Sequence, residues 1–205
     1  MATRCPVGFD THKLREEIST IYERVASDPE GDFHFHRGPE YAAERLGYDL
    51  EQLRQLPATA TASFAGVGNP HSIAALARGE TVVDVGCGAG MDLLLAARAV
   101  GPTGRAIGVD MTAAMRERAQ TAARQAGLAE IVDVRGGDAE SLPVDDGIAD
   151  VVISNGVLNL TTDKHKAFGE IARVLAPGGR LQLADIVVGV ALSEGARNDI
   201  DLWTG

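Results

Sequence analysis

The chain of 205 residues has little cysteine, no long apolar run and no excess of basic residues. Its 2 cysteines, Cys5 and Cys87, are too few for a disulfide framework. No apolar stretch approaches the ~20 residues that span a bilayer, and the first residues lack the pattern of a signal peptide. The net charge of -10 and the scattered lysines and arginines disfavour nucleic acid, whose phosphates need a basic surface. These absences predict a cytoplasmic protein without a membrane or nucleic-acid partner.

An apolar strand that leads into a glycine-rich turn is the most informative feature that the chain does have. The residues from Val82 to Gly90 read VVDVGCGAG, and the valines suit a strand covered on both faces. Glycines at positions 86, 88 and 90 allow a ligand to lie against the backbone at the start of the following helix. Met91 stands where a dinucleotide fingerprint has its third glycine, which disfavours an NAD-dependent oxidoreductase. The turn therefore predicts a nucleotide or nucleoside site.

Strands and helices alternate along the rest of the chain, which predicts a parallel sheet with right-handed crossovers. Further strands are expected at 105–110, 131–135, 149–155 and 180–188, and helices at 91–99 and 113–126. Another helix is expected to include Phe168 and Leu175 and to end at Pro177-Gly178-Gly179. Ligands in such sheets bind beyond the carboxyl ends of the strands, where the glycine turn, Asp110, Asp138 and Asn155 all fall. Asp110 is placed to accept hydrogen bonds from ribose hydroxyls, whereas Thr112 is the better helix cap.

Four motifs resemble, in order, those of class I S-adenosylmethionine-dependent methyltransferases: 84–90, Asp110, Asp138-Ala139 and Pro177-Gly178-Gly179. The resemblance covers 81–188 and implies an α/β, Rossmann-like methyltransferase fold, in which helices flank a central parallel sheet of order 3-2-1-4-5. It also implies S-adenosyl-L-methionine as the cofactor and in-line transfer of its methyl group to an acceptor. This cofactor has no phosphate, and the glycine turn contains no lysine or arginine.

The same resemblance implies a set of cofactor-binding residues along the sheet edge. The glycine turn would lie against the methionine part, Asp110 would hold the ribose, and Asp138 would accept a hydrogen bond from the exocyclic amine of adenine. Asn155 would lie close to the reacting methyl group and is also a candidate catalytic residue. Cys87 is interpreted as a small residue against the cofactor, with a reactive thiol as the alternative. The full set is Asp84, Gly86, Cys87, Gly88, Gly90, Asp110, Met111, Asp138, Ala139 and Asn155.

From about Gly47 onward the chain is also similar to arsenite methyltransferases. The likeness rests on GYD at 47–49, FAGVGNP at 64–70, GVDMT at 108–112, SNGVLNL at 154–160 and RND at 197–199. Those enzymes hold trivalent arsenic with cysteine thiolates, but Val67 and Gly156 stand at two matching positions, and a third would follow Gly205. Soft arsenic needs sulfur ligands, so we expect a different small-molecule acceptor. The alternatives are arsenite methylation despite these replacements and a non-catalytic cofactor-binding domain.

Residues 1–75 are expected to form an N-terminal helical cap segment over a methyltransferase domain at 76–205. Apolar residues at helical spacing predict a helix at 13–26, and shorter helices are expected at 40–46 and 50–56. Such a segment would exclude water from the cofactor and supply part of the acceptor site.

Histidines in and beside this segment are the candidate proton acceptors. His34 and His36 are candidate catalytic residues, although an anchor formed by Phe33 and Phe35, with both histidines near solvent, is the simpler alternative. Two histidines without a third ligand do not predict a metal site. His71 is a further candidate base.

The chain stops soon after the predicted fifth strand, which would leave that strand as an exposed sheet edge. Proteins that resemble this family continue with a helix and a final hairpin. We therefore expect a C-terminally incomplete domain of a longer protein, with a second copy of the chain against the exposed edge as the alternative.

Overall fold

A five-stranded parallel sheet forms the centre of the part of the chain that this computed structural model describes, residues 11–29, 31–33 and 35–190. Its strands are β1 (Thr81–Val85), β2 (Arg105–Asp110), β3 (Val132–Gly136), β4 (Ala149–Asn155) and β5 (Leu175–Ala184). They pair in the order β3-β2-β1-β4-β5, which confirms the predicted Rossmann-like arrangement. The order reverses between β1 and β4, so a crevice is expected beyond the carboxyl ends of these two strands.

Helices cover both faces of the sheet because successive strand residues point to opposite sides. Val83 and Val85 pack against α7 (Lys164–Val174), whereas Val82 packs against α5 (Met91–Val100). The other described helices are α1 (Thr11–Ser27), α2 (Gly38–Leu46), α3 (Leu50–Arg54), α4 (Ala58–Thr61) and α6 (Ala113–Gln125), with short 3-10 turns at Pro70–Ser72 and Leu158–Leu160. None of the described helices has the length and apolar character that a membrane crossing requires.

The N-terminal helix α1 is anchored on α6 by apolar packing. Val25 and Ala26 are buried against Met115, and Arg118 donates a hydrogen bond from Nη1 to the carbonyl of Ala26 at 2.8 Å. Behind them, Phe33 packs in the same cluster. This packing holds α1 across the edge of the sheet at which the strands end.

The last described strand differs from its predicted bounds. Helix α7 ends at Val174 rather than at Leu175, and β5 runs over Leu175–Ala184 rather than 180–188. The pairing explains the error: Ala149 faces Leu175, but Val151 faces Arg180, so Pro177-Gly178-Gly179 lie in a bulge inside the strand. Among the described residues β5 pairs with β4 alone. The motif at 197–199 and Gly205 lie outside the described residues.

Candidate functional site

A cleft opens at the carboxyl edge of the sheet, with about 1100 Å³ of empty space that includes its solvent-open mouth. Loops that follow β1, β2, β3 and β4 line it, and α1 covers one side. Nine of the ten predicted cofactor-binding residues come together there: Asp84, Gly86, Cys87, Gly88, Asp110, Met111, Asp138, Ala139 and Asn155. Gly90 is the exception among them.

The glycine turn after β1 combines close packing with open space. A Cβ on Gly86 would collide with Val157, and Gly86 has a φ of +73°. Gly88, with a φ of +52°, has no atom within 4 Å of a Cβ position, so its face of the turn is open to a ligand. A Cβ on Gly90 would lie 3.2 Å from that of Ala119, so this glycine allows α5 and α6 to pack closely.

Asp110 ends β2 and joins the glycine turn to the next loop. Its Oδ2 accepts a hydrogen bond from the Gly88 amide at 2.9 Å, and its Oδ1 accepts one from the Thr112 amide at 2.8 Å. Burial raises the pKa of this carboxyl, although the two amides oppose the shift. Thr112 occupies the expected cap position of α6, but its side chain makes no capping hydrogen bond.

Asp84 is a buried carboxylate in the wall of the cleft. Only 2% of the residue is exposed, and Oδ2 has no hydrogen-bond partner among the described residues. Burial, and then the charges of Asp92 and Asp110, raise the pKa of Asp84 well above its usual value. A buried carboxylate without a hydrogen-bond partner is costly. A cationic group in the cleft would offset both the cost of burial and the repulsion from Asp92 and Asp110.

Asn155, at the end of β4, is held in a buried network. Its Oδ1 accepts hydrogen bonds from the amides of Val67 (2.8 Å) and Gly68 (3.1 Å). Its Nδ2 contacts the Tyr48 hydroxyl at 3.1 Å and Asp92 Oδ2 at 3.0 Å, and the Tyr48 hydroxyl donates to Asp92 Oδ1 at 2.7 Å. Burial, and then the charge of Asp92, raise the pKa of Tyr48, so its proton stays in place. The amide of Asn155 thus fixes the loop at 66–68 against the cleft.

Asp138, after β3, lies beside a second acidic residue and an arginine from α1. Asp138 Oδ1 accepts from the Glu140 amide at 2.7 Å, and Oδ2 lies 3.3 Å from Arg15 Nη2. The same nitrogen lies 3.0 Å from Glu140 Oε2. All three side chains belong to residues that line the cleft. This group lies on the β3 side of the cleft, with β2 and β1 between it and Asn155 at the end of β4.

The thiol of Cys87 is not set up for reaction. Cys87 is buried, and a Cβ on Gly108 would lie 2.8 Å from its Sγ, so the sulfur packs against the backbone of β2. Burial, and then the charges of Asp110 and Asp84, raise the pKa of the thiol well above its usual value. This environment suppresses the thiolate, which argues against the alternative of a reactive thiol at Cys87.

Neither of the two candidate histidines that the structure describes, His36 and His71, lines the cleft. His34 lies outside the described residues, and His36 is exposed and stacks on Tyr41 with ring centroids 5.2 Å apart. His71 Nε2 lies 3.2 Å from Asp92 Oδ1, behind the wall of the cleft and without the alignment of a hydrogen bond. Among the described residues no group of three or more histidine, cysteine or acidic side chains could hold a metal ion.

The two positions that match cysteines of arsenite methyltransferases are neighbours in space. A Cβ on Gly156 would lie 3.2 Å from Val67 Cγ1. Gly156 has a φ of +72°, a left-handed backbone conformation that glycine adopts readily. The contact between Val67 and Gly156 is apolar and contains no sulfur.

Four polar residues of the site were not predicted from the sequence to be functional: Arg15, Tyr48, Asp92 and Glu140. Asp92 lies in the first turn of α5, where an acidic residue ordinarily stabilises the helix dipole, so its position alone carried no functional signal. Arg15 stands on the expected amphipathic helix, and its spacing relative to Leu14 and Ile18 places it beside the buried stripe. That placement was the one available sign that it faces the sheet.

A family model described as a methyltransferase domain matches residues 76–203. The chain belongs to this methyltransferase family. Its sheet order and its relatives place it among the class I S-adenosylmethionine-dependent methyltransferases, close to the arsenite methyltransferases. S-adenosylmethionine is the cofactor of this class.

Three relatives show how far the likeness extends. The arsenite methyltransferase of Halobacterium salinarum is 44% identical over 163 residues, which cover 80% of this chain and 41% of that protein. The ubiquinone/menaquinone biosynthesis C-methyltransferase of Enterobacter sp. (strain 638) is 39% identical over 105 residues, covering 51% and 41%. A crystal structure of an arsenic(III) S-adenosylmethionine methyltransferase from Chlamydomonas reinhardtii superposes with a TM-score of 0.60 at 35% identity, covering 71% and 48%. The methyltransferase chain described here thus spans less than half the length of these relatives.

Proposed function

We propose that the cleft binds S-adenosylmethionine and that the chain is the donor-binding part of a methyltransferase that acts on a small molecule. The observation that carries the proposal is the open face of Gly88 in the same cleft as Asp84, whose Oδ2 has no hydrogen-bond partner among the described residues. The methionine end of this cofactor carries an ammonium group and a sulfonium and no phosphate. A turn without basic residues, flanked by acidic Asp84, Asp92 and Asp110, fits such a cation.

Each described residue of the set then has a role that its geometry allows. Asp84 would accept from the ammonium group, and the backbone of 86–88 would lie along the methionine chain. Asp110, whose two oxygens each accept one backbone amide, keeps lone pairs for the ribose hydroxyls. Asp138 would accept from the adenine amine, with Met111 and Ala139 against the ring. Gly90 would contribute through the packing of α5 on α6.

The sulfonium of the bound cofactor would supply an electrophilic methyl group. The protein's task is then to align the acceptor with that group and to exclude water. Residues 1–75, as a cap segment, would cover the cofactor held by the domain at 76–205. Asn155 would act here as a positioning residue, because both ends of its amide already hold neighbouring groups.

Two observations bear on the acceptor in opposite directions. The identity to arsenite methyltransferases favours arsenite, as the relative from Halobacterium salinarum is named for that activity. The apolar contact between Val67 and Gly156 disfavours it, because neither residue offers a thiolate for soft trivalent arsenic. We propose a small-molecule acceptor other than arsenite.

A screen of small-molecule acceptors with methyl-labelled S-adenosylmethionine tests this function. We expect label transfer to at least one acceptor and none to arsenite. Rapid labelling of arsenite would overturn the proposed acceptor class. Cofactor binding without transfer to any acceptor would support a non-catalytic binding domain instead.

A further inference from the structure

We propose that Arg15 is a positioning residue that orients Asp138 toward the adenine base, so that a residue of the N-terminal helix sets base specificity. The inference rests on the proposed binding of S-adenosylmethionine. It adds a determinant that lies on α1, about 120 positions before the loop it acts on.

Three contacts join Arg15 to the cleft, and all involve Nη2. This nitrogen lies 3.3 Å from Asp138 Oδ2 and 3.0 Å from Glu140 Oε2, and it donates to Thr162 Oγ1 at 3.4 Å. One guanidinium therefore bridges the loop after β3 and the segment before α7.

Glu140 is the fixed end of this bridge. Its side chain is only 7% exposed, and its Oε1 accepts hydrogen bonds from the Thr162 hydroxyl (2.6 Å) and the Asp163 amide (2.9 Å). Although burial opposes it, these donors and then the charge of Arg15 hold the pKa of Glu140 below its usual value. Glu140 is therefore an anchored anion against which Arg15 is held.

Arg15 contacts the oxygen of Asp138 that the Glu140 amide does not hold. Its Oδ1 is taken by the Glu140 amide, so Oδ2 is the oxygen left to meet both Arg15 and a ligand. Without the guanidinium, Asp138 and Glu140 would be adjacent carboxylates, and the half-buried Asp138 would turn toward solvent to reduce the repulsion. Arg15 thus keeps Oδ2 aimed at the base.

The need to hold α1 in place does not by itself explain the contacts that Arg15 makes. The helix is already fixed at its other end by Val25 and Ala26 against Met115, and by the hydrogen bond from Arg118 to Ala26. A role in specificity and a role as a helix clamp therefore make different predictions.

The test compares two ligands on the folded protein: S-adenosylhomocysteine and S-inosylhomocysteine, in which a carbonyl oxygen replaces the exocyclic amine. An oriented Asp138 carboxylate accepts from the amine and repels the carbonyl. We expect the wild type to prefer the adenosyl ligand by roughly 10–100-fold. Arg15→Met should bring the ratio of the two Kd values to within about threefold of unity, and Arg15→Lys should restore part of it.

Arg24→Met is the matched control, because Arg24 lies on the same helix, is exposed and contacts the Phe33 ring at 5.3 Å from its centroid. This variant makes the same change of charge, and its Kd ratio should equal that of the wild type. If Arg15→Met weakens both ligands equally, Arg15 is only a helix clamp and the inference is wrong. A wild type that binds both ligands equally contradicts it as well. A folded wild type that binds neither ligand contradicts the proposed function itself.

Discussion

The two ends of the cleft use polar side chains in opposite ways. At the adenosine end, Asp110 and Asp138 are held by backbone amides but keep accepting capacity that faces the cleft. At the methyl end, Tyr48, Asp92 and Asn155 satisfy one another and the loop above them. If the cleft binds S-adenosylmethionine as we propose, the first end offers oxygens to the ligand, whereas the side chains of the second end are occupied by one another.

Gly88→Val should have the largest effect on ligand binding, because the valine side chain would fill the open face of the glycine turn. We expect a loss of S-adenosylhomocysteine affinity of about 100-fold or more, measured by equilibrium dialysis. Gly127→Val is the matched control: Gly127 also has a positive φ, +68°, and no atom within 4 Å of its Cβ position, and it lies away from the cleft. Equal losses of affinity in both variants would show that backbone strain, and not a filled site, is responsible.

Asn155→Leu should lower the stability of the protein by disrupting the network at the methyl end of the cleft. The substitution removes the donors and acceptors that hold Val67, Gly68 and Asp92, and it leaves Asp92 with an unmet buried oxygen. We expect a loss of about 3 kcal/mol in the free energy of unfolding, measured in urea. Asn69→Leu removes two hydrogen bonds that are more exposed than those of Asn155, and it should cost about 1 kcal/mol. Unchanged stability with a loss of turnover alone would return Asn155 to a directly catalytic role.

Asp84→Asn should stabilise the free protein while it weakens cofactor binding. Burial raises the pKa of Asp84, so the folded state binds its proton more tightly than the unfolded state does. The stability of the wild type should therefore fall as pH rises from about 4 through the raised pKa, and the variant should lack this decline. At neutral pH we expect a gain of about 1–2 kcal/mol, from urea melts at several pH values. A variant less stable than the wild type would mean that Asp84 has a partner in the free protein.

His36→Gln should have the smallest effect, since His36 stacks on Tyr41 outside the cleft. Once an acceptor is found, kcat should change by no more than about twofold. A fall of tenfold or more would place His36 at the acceptor end and support its sequence-based prediction as a catalytic residue.

That the residues proposed for the donor site lie together in one cleft was predictable, because their determinants are local. Glycines at one strand end and single acids at the next two strand ends follow directly from reading strands and turns in order. Asn155 was expected near the methyl group, but its network was not predictable, because Tyr48, Asp92 and Asn155 are separated by 44 and 63 positions and meet only through the fold.

Errors at the fifth strand have a similar physical origin. Pro177-Gly178-Gly179 carries the chemistry of a helix stop and a turn, yet the strand continues through it as a bulge paired to β4. Local propensity cannot distinguish the two outcomes, because pairing with a neighbouring strand decides between them.

The most direct test of the account is a calorimetric titration of S-adenosylmethionine into the folded wild-type chain at neutral pH. We predict saturable binding at one site, with a Kd on the order of micromolar. A folded wild type that gives no binding heat across temperatures, and is not stabilised by the ligand in thermal melts, would contradict the assignment of the cleft.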